Sequence, residues 1–184
     1  MSRRRIKKPP TWAAALLLLL ATGFAVAGFP YLVAGEAAKR PPQEQVPIHL
    51  DLPPNTILAD LKSGRVDEVV DGDTIDVIVD GNKHLRVRYF GVDTPERGQK
   101  CFREATDRNA ALVGTHVLLL PDHRELDRYG RTLRYIFTTD GVSIDATLVA
   151  EGFGHAWRTD GRYKDQIIAL ETEAQAANRG CLWK

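Results

Sequence analysis

The chain of 184 residues has few of the residues that bind soft metal ions. It contains two cysteines and five histidines, and no two histidines form a His-x-His or His-x-x-x-His pair. The histidines are His49, His84, His116, His123 and His155. Zinc sites in proteins combine several nitrogen or sulfur ligands, commonly at short spacings. The sequence therefore argues against a zinc centre and leaves oxygen atoms as the ligands for any metal.

The chain also lacks internal repeats and a large excess of positive charge. Its 25 basic and 24 acidic residues give a formal net charge of +1. Residues 1–40 hold 7 of the basic and 1 of the acidic residues, so residues 41–184 carry 18 basic and 23 acidic residues, a net charge of −5. Tight, nonspecific binding of nucleic acid depends on neutralising many phosphates. This composition is unlike such a binder, although it is compatible with a local cationic site.

One long apolar run lies near the N-terminus. Basic residues are concentrated in residues 3–8, and residues 12–34 carry no charge. The run is long enough to cross a bilayer as a helix, and its basic flank predicts a cytoplasmic N-terminus. A cleaved signal peptide is the alternative, because Ala25-Val26-Ala27 has the small residues of a cleavage site. In both cases we expect residues 1–36 to be a membrane or signal segment and the folded domain to lie outside the cytoplasm.

Proline pairs separate this segment from the rest of the chain. Pro41-Pro42 and Pro53-Pro54 are typical of an extended linker, which we predict over residues 37–56. Residues 57–184 then have the length of one globular domain.

Hydrophobic patterning predicts five strands and three helices in that domain. Alternation bounded by turn residues places strands at residues 65–70, 74–79, 83–90, 115–120 and 132–138. Helices are predicted over residues 102–113, after a cap at Ser143, and from about Tyr163. The last helix has an apolar stripe at Tyr163, Ile167, Leu170, Ala174 and Ala177. This layout indicates an α+β domain, mainly β, in which the strands form a barrel.

Two acidic loops offer oxygen ligands for a hard cation. Asp71-Gly72-Asp73-Thr74 connects the first two predicted strands, and Asp93-Thr94-Pro95-Glu96 follows the third. By itself the first is typical of a hairpin turn. The second alone is typical of a helix N-terminus, where Thr and Asp serve as caps.

Arginines accompany these acids. Arg86 and Arg88 alternate on the third predicted strand and therefore point to the same face. Asp127-Arg128-Tyr129-Gly130-Arg131 forms a later loop, which alone would be a solvated surface. A cation, a carboxylate and two guanidinium groups together suit attack of water on a phosphodiester. The cation and the arginines neutralise the developing charge, and the carboxylate manages a water proton.

In their order and spacing these motifs resemble the thermonuclease family, the staphylococcal-nuclease-like phosphodiesterases, over residues 63–184. The resemblance implies a five-stranded oligonucleotide-binding (OB) barrel with helices packed against it. It also implies that Asp73 and Asp93 bind Ca²⁺ through their side chains and that the backbone carbonyl of Thr94 is a third ligand. Two carboxylates and a carbonyl leave room for waters and a phosphate oxygen.

The same resemblance implies the catalytic groups. Glu96 would orient or deprotonate the attacking water, Arg88 and Arg131 would hold the scissile phosphate, and Tyr129 would lie near the substrate. None of these positions is substituted. We therefore expect a Ca²⁺-dependent nuclease that cuts DNA or RNA, leaves 3′-phosphate ends and contacts the membrane only through its N-terminal segment. No protein partner is inferred, and a monomer is expected.

Two other functions account for part of the pattern. A non-catalytic OB-fold module tethered to the membrane could bind nucleic acid or another ligand, and a partner-binding module could use the acidic turn to hold Ca²⁺ for structure alone. The nuclease hypothesis is favoured because neither alternative requires Arg88, Glu96 and Arg131 together.

Cys101 and Cys181 are the chain's two cysteines. Unpaired thiols are a liability outside the cytoplasm, so we predict a disulfide between them, with two free thiols as the alternative. The bond would join the start of the first predicted helix to the segment that follows the last one. On the chain-entropy model its loop of 80 residues would give roughly 3–5 kcal/mol of stability.

Overall fold

The computed structural model describes residues 47–184. The predicted membrane or signal segment, residues 1–36, lies outside the described residues, as does the first part of the predicted linker. No helix within residues 47–184 is long and apolar enough to cross a bilayer.

Five strands close into a barrel, as predicted. They are β1 (Lys62–Val69), β2 (Thr74–Val79), β3 (Lys83–Tyr89), β5 (His116–Leu120) and β6 (Thr132–Phe137). Their order around the barrel is β1-β2-β3-β6-β5, and β5 returns to pair with β1. Only the β3–β6 pair of the barrel is parallel. Each strand lies within three residues of its predicted position.

Strand β1 begins three residues earlier than the hydrophobic pattern predicted. The strand was predicted from residue 65, but Lys62, Ser63 and Gly64 already pair with β5. These residues lack the apolar alternation of a half-buried strand. Gly64 is buried, and a Cβ atom at this position would lie 3.2 Å from the Cβ of Val77. The absence of a side chain at Gly64 therefore lets β1 approach the neighbouring strand β2 closely.

Three helices cover the barrel, which confirms the predicted number. They are α1 (Phe102–Val113), α2 (Ile144–Ala150) and α3 (Lys164–Ala176). All seven residues of α2 are buried, and the helix contacts α1, α3 and β6. Ser143 caps α2 as predicted, because its hydroxyl accepts a hydrogen bond from the Ala146 N–H at 3.3 Å. In the predicted apolar stripe, Tyr163, Ile167 and Ala174 are buried.

Two further strands form a short ribbon beside the barrel. They are β4 (Val92–Asp93) and β7 (His155–Ala156), and Asp93 lies opposite His155. The Trp157 N–H extends the ribbon by donating to the Gly91 carbonyl at 2.9 Å. The ribbon therefore fixes the backbone on which Asp93 is carried.

Part of the predicted linker contacts the folded body. The Ser143 N–H donates to the Ile48 carbonyl at 2.8 Å, and the Tyr163 hydroxyl donates to the Asp51 carbonyl at 2.7 Å. Leu50 and Leu52 pack against the hydrophobic core. A protein prepared for experiments should therefore retain these residues.

A disulfide joins Cys101 and Cys181, as predicted, with 5.5 Å between their Cα atoms. Cys101 is buried and directly precedes α1, while Cys181 follows α3. Next to the bond, the Leu182 N–H donates to the Gly152 carbonyl at 3.2 Å. The bond fastens the C-terminal residues to the start of α1.

Candidate active site

The structure brings the predicted site residues together around one pocket of about 460 Å³. Five of them line the pocket directly: Arg88, Asp93, Glu96, Tyr129 and Arg131. The other two, Asp73 and Thr94, are buried and hydrogen-bonded to each other. These residues come from three well-separated parts of the sequence. The pocket therefore unites all the motifs that carry the family resemblance.

Asp73 is positioned by the tight turn between β1 and β2. The Asp71 carboxylate accepts a hydrogen bond from the Asp73 N–H at 3.1 Å, as in an Asx turn. A Cβ atom at Gly72 would lie 2.7 Å from the Thr94 hydroxyl and 2.9 Å from the Ala105 methyl group. Glycine is therefore needed at this position, because a side chain would push the turn away from the loop that carries Thr94.

The Asp73 carboxylate holds that loop in place. Its Oδ2 atom accepts hydrogen bonds from the backbone N–H of Thr94 at 2.6 Å and from the Thr94 hydroxyl at 2.8 Å. Its Oδ1 atom accepts a bond from the Thr74 hydroxyl at 3.2 Å. Burial raises the pKa of Asp73 to about 6, even though the nearby Arg88 and the Thr94 bonds act in the opposite direction.

Arg88 links the two predicted carboxylate ligands. Its Nη2 atom donates to Asp93 Oδ1 at 2.7 Å, and its Nε atom lies 3.2 Å from Asp73 Oδ1. Its Nη1 atom donates to the carbonyls of Tyr89 at 2.8 Å and Val92 at 2.6 Å. The side chain is only 9% exposed. One buried guanidinium group thus pairs with two carboxylates and offsets one of their two negative charges.

The donor set around Arg88 suits a hard cation. Asp73, Asp93 and the Thr94 carbonyl offer oxygen atoms only, which Ca²⁺ and Mg²⁺ prefer. The Asp93 side chain is half-exposed and reachable from the pocket. Within residues 47–184 no cluster of three or more His, Cys, Asp and Glu side chains could hold a metal. Protein oxygens would therefore fill only part of the coordination shell of any ion here. Water or substrate oxygens would take the remaining positions.

Glu96 presents an exposed carboxylate to the pocket. Gln99 fixes its backbone, because the Glu96 N–H donates to Gln99 Oε1 at 2.8 Å and the Gln99 N–H donates to the Glu96 carbonyl at 2.9 Å. In the described part of the chain the Glu96 carboxylate has no hydrogen-bond partner. A carboxylate that is held at its base and unpaired at its tip can accept a proton from water.

Arg131 is held by Asp127, a residue for which the sequence indicated no role of its own. Asp127 Oδ2 accepts from Arg131 Nε at 2.6 Å, and Oδ1 accepts from the N–H groups of Tyr129 and Arg131, each at 2.9 Å. Burial opposes ionisation of Asp127, but these bonds prevail and its pKa is lowered. Asp127 therefore shapes the loop and aims the guanidinium group. The only feature of the sequence that indicated this pairing was that Asp127 precedes Arg131 by four residues.

Tyr129 lies at the rim of the pocket and is 69% exposed. Its ring lies 4.7 Å from the guanidinium carbon of Arg128 and 5.7 Å from that of Arg131. Arg124 and Arg128 also line the pocket, and the sequence indicated no role for either. The pocket therefore carries four arginines although the domain as a whole is acidic.

Comparison with known proteins agrees with this geometry. Residues 86–184 match the family model described as "Staphylococcal nuclease homologue". The chain is 36% identical over 130 residues to Protein ParB of Escherichia coli, covering 65% of this chain and 71% of that protein. It is 36% identical over 129 residues to a micrococcal nuclease of Shigella flexneri, with 65% and 72% covered. It is 35% identical over 128 residues to a thermonuclease of Staphylococcus hyicus, with 65% and 74% covered.

Proposed function

Because this chain belongs to the staphylococcal nuclease family, we propose that it is a Ca²⁺-dependent nuclease that cuts DNA or RNA and leaves 3′-phosphate ends. Relatives named micrococcal nuclease and thermonuclease support hydrolytic nuclease activity. The observation that carries the proposal is the meeting of Arg88, Asp93, Glu96 and Arg131 in one pocket. A module that only bound nucleic acid would not need the unpaired Glu96 carboxylate beside two arginines.

The two arginines would bind the scissile phosphate. A guanidinium group can donate two parallel N–H bonds to phosphate oxygens and keeps its charge at any working pH. Arg131 is fixed by Asp127. Four contacts fix Arg88 and engage four of its five N–H groups, so its second bond to phosphate would require release of the bond to Asp93. Such fixed donors stabilise the charge that develops on the phosphoryl group without reorganising during the reaction.

Asp73, Asp93 and the Thr94 carbonyl would hold Ca²⁺. When bound, the ion supplies positive charge against a phosphate oxygen. We infer Ca²⁺ rather than Mg²⁺ because a site with few protein ligands suits the flexible coordination of Ca²⁺. Mg²⁺ demands a smaller and nearly ideal octahedral shell.

Glu96 would act as the general base. The attacking water gives a proton to a Glu96 carboxylate oxygen while its own oxygen bonds to phosphorus. The bond between phosphorus and the 5′ oxygen then breaks, and that oxygen takes up a proton from solvent. The phosphate stays on the 3′ oxygen of the other fragment, which accounts for a 3′-phosphate end.

We also propose that the domain works outside the cytoplasm, tethered or directed there by residues 1–36. The disulfide supports this location, since such bonds persist in oxidising compartments. Nothing in the pocket requires a second copy of the chain, so a monomer is proposed. Protease digestion of intact and opened cells tests the location: the domain should be cleaved without opening the cytoplasmic membrane.

The chemical outcome is tested with a short oligodeoxynucleotide labelled at its 5′ end, digested by the full chain in the presence of Ca²⁺. Mass spectrometry should find fragments that end in a 3′-phosphate. The variant Glu96→Gln, digested in parallel, should yield the same fragments much more slowly. Fragments that carry a new 5′-phosphate instead would contradict the proposed direction of cleavage.

A further inference from the structure

The loop that carries Glu96 has few contacts with the rest of the domain before it reaches helix α1. Residues 96–100 are all exposed. Within residues 47–184 their hydrogen bonds are local, except that Lys100 Nζ donates to the Lys184 carbonyl at 3.1 Å. The position of Glu96 therefore depends on how the end of this loop is held.

Two successive turns connect Glu96 to helix α1. The Gln99 N–H donates to the Glu96 carbonyl at 2.9 Å, and the Phe102 N–H donates to the Gln99 carbonyl at 3.4 Å. Cys101 lies inside the second turn, directly precedes the helix and is buried. A displacement of Cys101 would therefore be passed through these turns to Glu96.

Cys101 has a backbone conformation that residues with a side chain rarely adopt. Its φ is 79°, in the left-handed region that favours glycine. Its side chain makes no capping hydrogen bond to α1. Such a conformation persists only where the surrounding structure enforces it, and it is common at functional sites. The bond to Cys181 supplies this restraint on Cys101.

Cys181 lies in a closely packed part of the domain. The preceding residue, Gly180, touches the loop after α2, because a Cβ atom there would lie 2.2 Å from the Gly152 carbonyl oxygen. The ring of Trp183 lies edge-on against that of His155, with 5.3 Å between their centres. The disulfide therefore fastens the exposed loop that carries Glu96 to a well-packed anchor.

We propose that the Cys101–Cys181 disulfide positions the Glu96 carboxylate, so that the nuclease reaches full turnover only after the bond has formed. This inference rests on the proposed function. Formation of the bond removes two electrons and two protons from the two thiols, and an external disulfide accepts them and becomes two thiols. In a reducing compartment the two cysteines stay separate. The chain would therefore largely spare the nucleic acid of its own cell until it has been exported.

The metal ligands are held independently of the disulfide. Asp73 fixes Thr94 through two hydrogen bonds, and the β4–β7 ribbon fixes the backbone of Asp93. Neither arginine that would bind the scissile phosphate lies on the loop between Glu96 and Cys101. The bond therefore acts on the general base and leaves the binding of Ca²⁺ and phosphate to other contacts.

The test measures kcat and KM for an oligonucleotide with Ca²⁺, using the full chain before and after reduction with dithiothreitol. The temperature is one at which circular dichroism shows both states to be folded. Reduction should lower kcat about 10–100-fold, since a displacement of about 1 Å can cost this much. KM and the Ca²⁺ concentration for half-maximal rate should stay nearly unchanged. The double variant Cys101→Ala/Cys181→Ala should resemble the reduced chain and should not respond to dithiothreitol.

Two variants distinguish positioning from a general loss of stability. In Glu96→Gln, reduction should lower kcat far less than in the wild type, because the group that the bond positions is already removed. Leu119→Ala truncates a buried side chain of β5 and keeps the disulfide. It should remove comparable stability but leave kcat at the wild-type value. Equal effects of reduction in the wild type and Glu96→Gln, or equal losses of kcat in Leu119→Ala and the reduced chain, would overturn the proposal.

Hydrogen exchange measured by nuclear magnetic resonance separates this inference from the proposed function, because it needs no substrate. On reduction the amides of Gln99 and Phe102 should exchange about tenfold faster or more, while the amides of β2 should keep their rates. Unchanged exchange at Gln99 and Phe102 would contradict the proposal. If their exchange rises but the oxidised chain cleaves no nucleic acid, the proposed function fails and the control of this loop by the disulfide stands.

Discussion

Replacing Arg88 by lysine should reduce both stability and turnover, because the guanidinium group joins four buried or half-buried acceptors. Nη1 reaches two backbone carbonyls, Nη2 reaches Asp93, and Nε faces Asp73. The single nitrogen of lysine cannot span both the carbonyls and the carboxylates. At least two acceptors would lose their donor, and each unpaired buried acceptor costs about 1–3 kcal/mol. The free energy of unfolding should therefore fall by about 2–6 kcal/mol.

The effect on catalysis has a different cause. An ammonium group retains the charge but cannot make two parallel bonds to a phosphoryl group. Loss of one fixed transition-state donor typically lowers kcat by about 10²–10³-fold. Under conditions in which the variant is fully folded, turnover should therefore fall by at least this factor.

Urea unfolding followed by circular dichroism measures the first effect, and Arg86→Lys is the control. Arg86 lies two residues earlier on β3 and also pairs with a carboxylate, but its side chain is 55% exposed. Exposed ion pairs contribute about 1 kcal/mol or less, so the control should lose little stability. Equal losses in the two variants would refute the argument from burial. Wild-type turnover in Arg88→Lys would show that Arg88 does not contact the phosphate in the transition state.

Three further predictions follow from single features of the structure. Glu96→Gln should lower turnover about 10²–10⁴-fold, the usual scale of general-base catalysis, and leave the urea midpoint unchanged because the carboxylate has no partner in the described residues. Reduction of the Cys101–Cys181 bond should lower Tm by about 10 °C or more without changing the metal requirement, whereas non-reducing mass spectrometry that found two free thiols would contradict the bond. Burial raises the pKa of Asp145 from 3.8 to about 7, so its contribution to stability is full below about pH 4 and is lost as the pH rises towards 7. Relative to Asp145→Asn, the wild-type chain should therefore lose stability to urea between pH 5 and pH 8, and parallel pH profiles would contradict this.

The sequence predicted those features that depend on local patterns. Strand β2 was predicted with the observed bounds, Thr74–Val79, because an acidic turn precedes a clear alternation of polar and apolar residues. Helix α1 was also predicted with its observed bounds, Phe102–Val113. The pocket residues were identified because the motifs occur in a characteristic order, and each motif lies at the end of a strand or in a loop.

The partners of the buried acids depend on distant contacts and were not predicted from the sequence. Asp145 is completely buried, and it accepts hydrogen bonds from the backbone N–H groups of Gly91 at 2.8 Å and Ile136 at 2.9 Å. Glu171 is 2% exposed and pairs with Arg158 and His155. In the sequence both acids look like the polar face of a helix. Only the closed barrel with its covering helices brings their partners close.

The same reason explains why the hydrogen bonds of Asp160 with Arg124 and Trp157 were not predicted. Asp160 and Arg124 are 36 residues apart, and neither stands in a recognisable motif. Trp157 is brought to them by the β4–β7 ribbon, whose strands have two residues each. Such short strands leave almost no periodic signal, although they determine where the side chains at their ends lie.

The most direct test of the central claim is the rate of oligonucleotide cleavage by the full chain with Ca²⁺ and with excess chelator. The full chain retains Ile48 to Leu52, which contact the folded body. Cleavage should require Ca²⁺, should be much slower with Mg²⁺, and should stop in Asp73→Ala. Cleavage at an undiminished rate in excess chelator would contradict the assignment of Asp73, Asp93 and Thr94 as the ligands of a catalytic calcium ion.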